Sequence, residues 1–254
     1  MSPIRRVALI AGVLYLVTFV ASIPAVILLN PVLNHSDYIL GSGSDNRVIL
    51  GCVLDVINAL AGVGTAVVLF PVAKRQSEAR ALGFVTTRVM EAAIIFSGIV
   101  ALMAIVTVRQ DVAGRAGADT GSLVTSGQAL VALRDWTVLL GPGLMPALSA
   151  LLIGSVMYQS RLVPRIIPTM GLIGSPLLLI SVLCTMFGVF DQFSPAAFFL
   201  ALLIALWELT FGLWMTFKGF NPSPLTADMA SPPAPPAVLP GELPEARPEP
   251  MPVG

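Results

Sequence analysis

The chain has 254 residues, of which 56% are hydrophobic and only 11% charged, and its 14 Lys plus Arg balance its 14 Asp plus Glu. Soluble domains carry about 25% charged residues, so with a mean hydropathy of +0.89 the chain reads as an integral membrane protein, without the basic excess that nucleic acid binding needs. Two cysteines and a single histidine, His35, are too few for a disulfide scaffold or a histidine-based metal site, so no metal or cofactor is expected.

Six stretches reach the ~20 apolar residues that carry a helix across ~30 Å of hydrocarbon. They cover residues 7–29, 48–70, 82–108, 138–157, 166–190 and 196–217. In lipid the backbone must satisfy its own hydrogen bonds, so such runs are helices, and the fold class is an all-α, polytopic six-helix transmembrane bundle. Arg5 and Arg6 precede the first run as in an export signal, but an apolar body of 23 residues outlasts the ~7–15 of a cleaved one, so a retained first helix is expected.

Positive charge in the short loops sets the orientation. Arg5, Arg6, Lys74, Arg75, Arg80, Arg161, Arg165 and Lys218 fall on one side of the spans. The other side has Arg47, Arg109, Arg115 and Arg134, offset by Asp37, Asp45, Asp111, Asp119, Asp135 and Asp191. A multi-pass inner-membrane protein with both termini cytoplasmic is expected. Trp136 at one edge and Tyr158, Trp214 and Phe217 at the other suit interfacial anchoring, whereas Trp207 lies too deep.

The long 109–137 connection is expected as a solvated loop whose second half, 122–135, suits a short helix lying on the outer surface through Leu123, Leu130, Val131 and Leu133. Within the fourth span, Gly141, Pro142, Gly143 and Pro146 predict a kink, because proline removes a backbone hydrogen bond and opens carbonyls to a partner. Gly171, Gly174, Ser175 and Pro176 give the fifth span a small-residue face for close packing. Ser194-Pro195 is an N-cap plus first-turn proline, which makes the last two spans an antiparallel hairpin. Cys52 and Cys184 fall near the same ends of their spans, where a bridge is conceivable, and are read as small core residues. Three spans followed by three would permit an inverted repeat, but no residue-level similarity links the halves.

From 221 to 254 the composition turns to proline, alanine and acid, predicting a disordered cytoplasmic tail. Pro232, Pro233, Pro235 and Pro236 give the loose P-x-x-P spacing of ligands for aromatic grooves, the one hint of a protein partner besides the lipid bilayer.

Charge within a span costs about 2.5–3.5 kcal/mol per residue on insertion scales, which turns it toward the bundle interior. Asp55, Arg88, Glu91 and Glu208 are such residues, with Asn58 beside Asp55 on a polar stripe of the second helix. Arg88 and Glu91 are three apart, on one helix face, where an ion pair forms. Glu91 and Glu208 each lie nine residues from the cytoplasmic end of their span, roughly 13 Å at 1.5 Å per residue, so they can meet at one level. Asp55 belongs farther outward, and a contact with Arg88 is not expected.

The run from Leu152 to Pro176, LIGSVMYQSRLVPRIIPTMGLIGSP, together with Arg88-Val89-Met90-Glu91 and Trp207-Glu208, Gly212-Leu213-Trp214 and Lys218-Gly219-Phe220, resembles a bacterial family of multi-pass membrane proteins catalogued as domain of unknown function 4386. The resemblance covers most of residues 5–220 and implies a six-helix bundle, while the family brings no established activity. No nucleophile elbow, zinc-protease, Walker or dinucleotide pattern occurs. The buried acids point to a proton- or ion-coupled small-solute transporter of unknown substrate. The alternative is a non-catalytic scaffold or partner subunit whose buried charges hold helix register; an intramembrane enzyme comes third, with no roles to assign.

Overall fold

The computed structural model describes residues 1–35, 38–41, 44–112 and 119–227. Among them the helices are α1 (Pro3–Asn34), α2 (Asp45–Ala73), α3 (Glu78–Val112), α4 (Thr120–Val138), α5 (Met145–Ser160), α6 (Ile166–Met186) and α7 (Pro195–Phe217). A π-helical turn, Leu139–Gly143, joins α4 to α5. Six of these rods are long and apolar enough to cross a membrane, α4 and α5 counting as one rod of 41 residues.

The helices close a ring: α1 packs on α2, α2 on α3, α3 on α5, α5 on α6, α6 on α7, and α7 returns to α1. Each connection between spans reverses direction, so both described chain ends lie at one end of the bundle, here the terminal end; the α1–α2 loop marks the distal end. Arg5, distant in sequence but near in space, closes the ring, its guanidinium donating to the carbonyls of Met215 at 2.9 Å and Thr216 at 2.7 Å. That contact satisfies carbonyls orphaned at the end of α7.

Small residues set how closely the helices approach. A Cβ on Gly171 would lie 2.8 Å from the Trp207 ring, and one on Gly174 3.0 Å from Ile204, so the α6–α7 hairpin is zipped by this glycine face. The depth of Trp207 follows: it is fully buried against α6 rather than placed at an interface. Ser194 accepts from the Ala197 amide at 3.2 Å and Pro195 opens α7, the cap the sequence announced. At the other side of the hairpin α6 stops at Met186, short of residue 190, because Gly188 takes φ +71° and the chain wraps back, Val189 N donating to Cys184 O at 2.8 Å.

Two expectations need correction. The 109–137 segment is mostly helix: α3 runs on to Val112, and α4 starts at Thr120, capped by Asp119, whose carboxylate accepts from the Gly121 amide. Nor does its second half lie flat on a surface. It packs lengthwise on α3 and continues through the π turn into α5, because Leu123, Leu130 and Val131 join the apolar cluster centred on Ile99, Leu102 and Ile105. The second correction concerns the start of the tail. Asn221 N donates to Leu162 O at 2.7 Å, Arg75 donates to Leu225 O at 3.0 Å, and Thr226 is buried, so residues 221–227 lie back across the terminal end. Residues 228–254, with the P-x-x-P spacing, and Asp37 and Arg115 lie outside the described residues.

The helices also differ in reach. At 1.5 Å per residue, α3 with 35 residues extends about 52 Å, whereas α6 with 21 extends about 32 Å. The longer rods carry a distal clasp in which Arg109 donates to Gly41 O at 3.0 Å, pairs with Asp45 and covers the Tyr38 ring at 4.7 Å. Cys52 is buried in the distal cluster and Cys184 partly buried on α6, both as free thiols.

Candidate functional site

The apolar interior is not continuous. One cluster fills the terminal half, built on Tyr15, Phe84, Trp207 and Phe211; a second fills the distal half around Leu29, Val48, Ile99 and Leu102. A polar layer separates them.

Arg88 is its centre. The residue is 4% exposed on α3, and its two terminal nitrogens take different acids: one bonds Glu91, one turn along the same helix, at 2.9 Å, and the other bonds Glu208 on α7 at 2.5 Å. Side chains on a helix lean toward its N-terminus, which for α3 is the terminal end. The guanidinium accordingly sits against the aromatic floor, 5.4 Å from the Tyr15 ring centre and 5.8 Å from that of Phe84. Cation–π attraction in a desolvated site adds to the two ion pairs. Tyr15 is held in turn by an edge-to-face contact with Phe211 at 5.3 Å.

Above this floor lies a cavity of about 170 Å³, lined by Thr18 and Ser22 of α1, Asn58 of α2, Arg88 and Glu91 of α3, and Glu208 of α7. Phe19, Ala92 and Ile95 share the lining with these polar groups, and a space of that size has room for several waters. Pro142 of the π turn and Pro146 of α5 complete the wall. The sequence signal for a kink at Gly141, Pro142, Gly143 and Pro146 corresponds to this π turn, which widens one helical turn beside the cavity; Pro146 lies in the first turn of the restored α-helix. Gly141 brings the turn close to α3, since a Cβ there would meet Ile94 at 3.0 Å.

Asp55 stands apart from Arg88, as its depth requires. Its partner is Arg134 of α4, at 2.5 Å, both residues 6% exposed. The sequence reading placed Arg134 in an outer loop and missed this pair. The available signal was an unmatched acid inside span two and a basic residue only four positions before the apolar run of span four. Gly98 on α3 makes room for the arginine: a Cβ there would lie 2.9 Å from its Cδ and closer still to Thr137 Oγ1. Arg134 Nε and one terminal nitrogen are buried with no protein partner among the described residues.

Among the described residues, five buried or nearly buried charges therefore form two separate units, a pair and a triad with two acids to one base; Asp135, half-buried in α4 next to Arg134, is a sixth charge in that rod. Among the described residues no group of three or more His, Cys, Asp and Glu forms a metal-binding cluster.

A closed ring of membrane-length helices around a charged interior cavity defines a polytopic α-helical membrane protein. Its sequence matches the family model "Domain of unknown function (DUF4386)" over residues 10–219, and the chain belongs to that uncharacterised family. No curated protein and no solved structure matches it.

Proposed function

We propose that the protein is a proton- or cation-coupled transporter of a small solute, with the Glu91–Arg88–Glu208 triad as its coupling site. The carrying observation is the count of charges: two carboxylates share one guanidinium beside a cavity of about 170 Å³. With all three ionised the triad holds one surplus negative charge, and in a low-dielectric interior one proton or one monovalent cation balances it. Binding of that ion alters the tie between Glu208 and Arg88, which is the tie between α7 and α3. Ion occupancy thereby acts on helix packing, the requirement for coupling. Thr18, Ser22 and Asn58 supply neutral polar groups for a small solute.

Both termini are assigned to the cytoplasm, supported by the eight basic residues that the sequence gathers toward the terminal end; accessibility of terminal tags in sealed vesicles checks it. The competing reading, a scaffold whose buried charges fix packing, is favoured by the two ion pairs that tie Arg88 to acids on α3 and α7. One experiment separates the two. Glu208→Gln is reconstituted beside the parent, and proton movement is followed with a pH-sensitive dye while candidate solutes are added. Transport predicts loss of solute-coupled proton flux at unchanged protein abundance. Collapse of abundance, or retention of flux, refutes it.

A further inference from the structure

A second cavity, about 260 Å³, lies at the distal end, bordered by His35, Tyr38, Ile105, Val131 and Asp135. It shares no lining residue with the central cavity. On α3 the two are marked by Ile95 and Ile105, ten positions apart, or about 15 Å along the helix. The Asp55–Arg134 pair occupies the interval.

Three neighbours place it there. Gly98, one turn distal to Ile95, faces Arg134. Asp55 lies one turn distal to Asn58 and Ala59, which line the central cavity. Arg134 lies between Val131 and Asp135, which line the distal one. The ion pair therefore bridges α2 and α4 across the interior between the two spaces.

Two further features bear on whether the bridge opens. Arg134 is buried yet leaves two donor nitrogens without a protein partner among the described residues. Such donors gain hydrogen bonds from water that reaches them from either neighbouring cavity. Five residues farther along, α4 passes into the Leu139–Gly143 turn, where glycines flank Pro142 and the α-helical hydrogen-bond ladder is interrupted. That turn permits α4 to move relative to α5. Pro142 and Pro146 also line the central cavity, which places the turn against that space.

We infer that Asp55 and Arg134 form the distal gate of the central cavity, and that α4, swinging about the π turn, opens it by breaking their ion pair. The gate rests on the reading of the central cavity as a solute site, and it assigns a role to a buried ion pair that the coupling triad does not use. On the terminal side the cavity is closed by a different device, the aromatic floor of Tyr15, Phe84 and Phe211.

The test reads access and requires no substrate. In a Cys52→Ala, Cys184→Ala background, Asn58→Cys places a thiol in the central cavity, and a charged, membrane-impermeant methanethiosulfonate is applied to sealed proteoliposomes from the side bearing the α1–α2 loop. Arg134→Gln and Asp55→Asn should each speed labelling about tenfold or more, as expected when a minor open state becomes the major one. The exchanged pair, Asp55→Arg with Arg134→Asp, should return the rate toward that of the parent. Gly143→Ala, whose Cβ would lie 3.2 Å from the Val138 carbonyl oxygen within the turn and which leaves the pair itself intact, should change the labelling rate, and it decides between gate and no gate if the single charge variants fail to reach the membrane. An unchanged rate in the charge variants, or in Gly143→Ala when it alone is recovered, overturns the gate. Loss of the transport reading by the Glu208 experiment leaves this labelling result to stand separately.

Discussion

Replacing Arg88 by methionine removes the charge and keeps most of the side-chain length, and it leaves Glu91 and Glu208 facing each other with side chains only 11% and 15% exposed. Removing one partner of a buried ion pair costs about 3–5 kcal/mol, because the remaining charge stays desolvated. Here two acids lose the same partner, which places the expected loss at the upper end of that range, about 5 kcal/mol, moderated by water in the adjoining cavity. For a chain of this size each kcal/mol moves the midpoint by ~2–4 °C, so the variant should melt ~10–20 °C below the parent. The assay is thermal stability in a fixed detergent, read by size-exclusion recovery after heating. Adding Glu91→Gln and Glu208→Gln to the same variant removes the stranded charges and should restore at least half of the loss, since neutral replacement of a whole buried ion group is often tolerated. If Arg88→Met melts within ~2 °C of the parent, a shift worth less than about 1 kcal/mol, the triad is not desolvated and the reasoning fails.

Three more outcomes are expected. Gly98→Val should cost about 1–3 kcal/mol by overpacking, since even a Cβ would collide with Thr137 Oγ1 and the Arg134 stem; in an Asp55→Asn, Arg134→Leu background, where the side chain against Gly98 is shorter, the penalty measured by the same melting assay should shrink. Gly171→Leu should separate α6 from α7, where the Trp207 ring lies 2.8 Å from the added Cβ position, and the expected signal is a change in tryptophan emission together with a lower melting point. Burial pushes the Tyr38 phenol above its ordinary range, Arg109 opposes this and Asp45 reinforces it. Because the folded phenol then holds its proton to higher pH than the unfolded one, its contribution to stability falls as pH rises through the phenol range; Arg109→Gln should raise the Tyr38 titration midpoint in difference absorbance against a Tyr38→Phe control, and a midpoint lowered by that substitution would contradict the assignment.

The membrane class, the six spans and the last hairpin were legible because each depends on a local quantity: the length of an apolar run, or a serine and a proline in fixed order. The triad was legible for a related reason, since equal distances of Glu91 and Glu208 from one membrane edge put them at one depth. Arg134 was not. The segment from Thr120 to Val138 is helical because it packs on α3, while its serines, threonines and glutamine dilute the hydropathy on which span limits depend. Its arginine consequently looked like a loop charge. The partner of Asp55 depends on a contact between residues 79 apart in sequence, and only Gly98, silent by itself in the sequence, marks where that contact is accommodated. The beginning of the tail was obscured for a similar reason: its hold on the bundle runs through backbone carbonyls of Leu162 and Leu225, which composition does not reveal.

The unequal helix lengths bear on how the molecule sits in its solvent. A hairpin of 21 and 23 residues matches the ~30 Å of hydrocarbon closely and has little to spare. The 35-residue α3 and the 41-residue α4–α5 rod outrun that thickness by about 20 Å or more, and tilting alone absorbs only part of the excess. The molecule is thus lopsided, flush with the headgroups along one flank and rising on the other into a small turret of α1–α4. A water-borne probe arriving from that side meets the turret first.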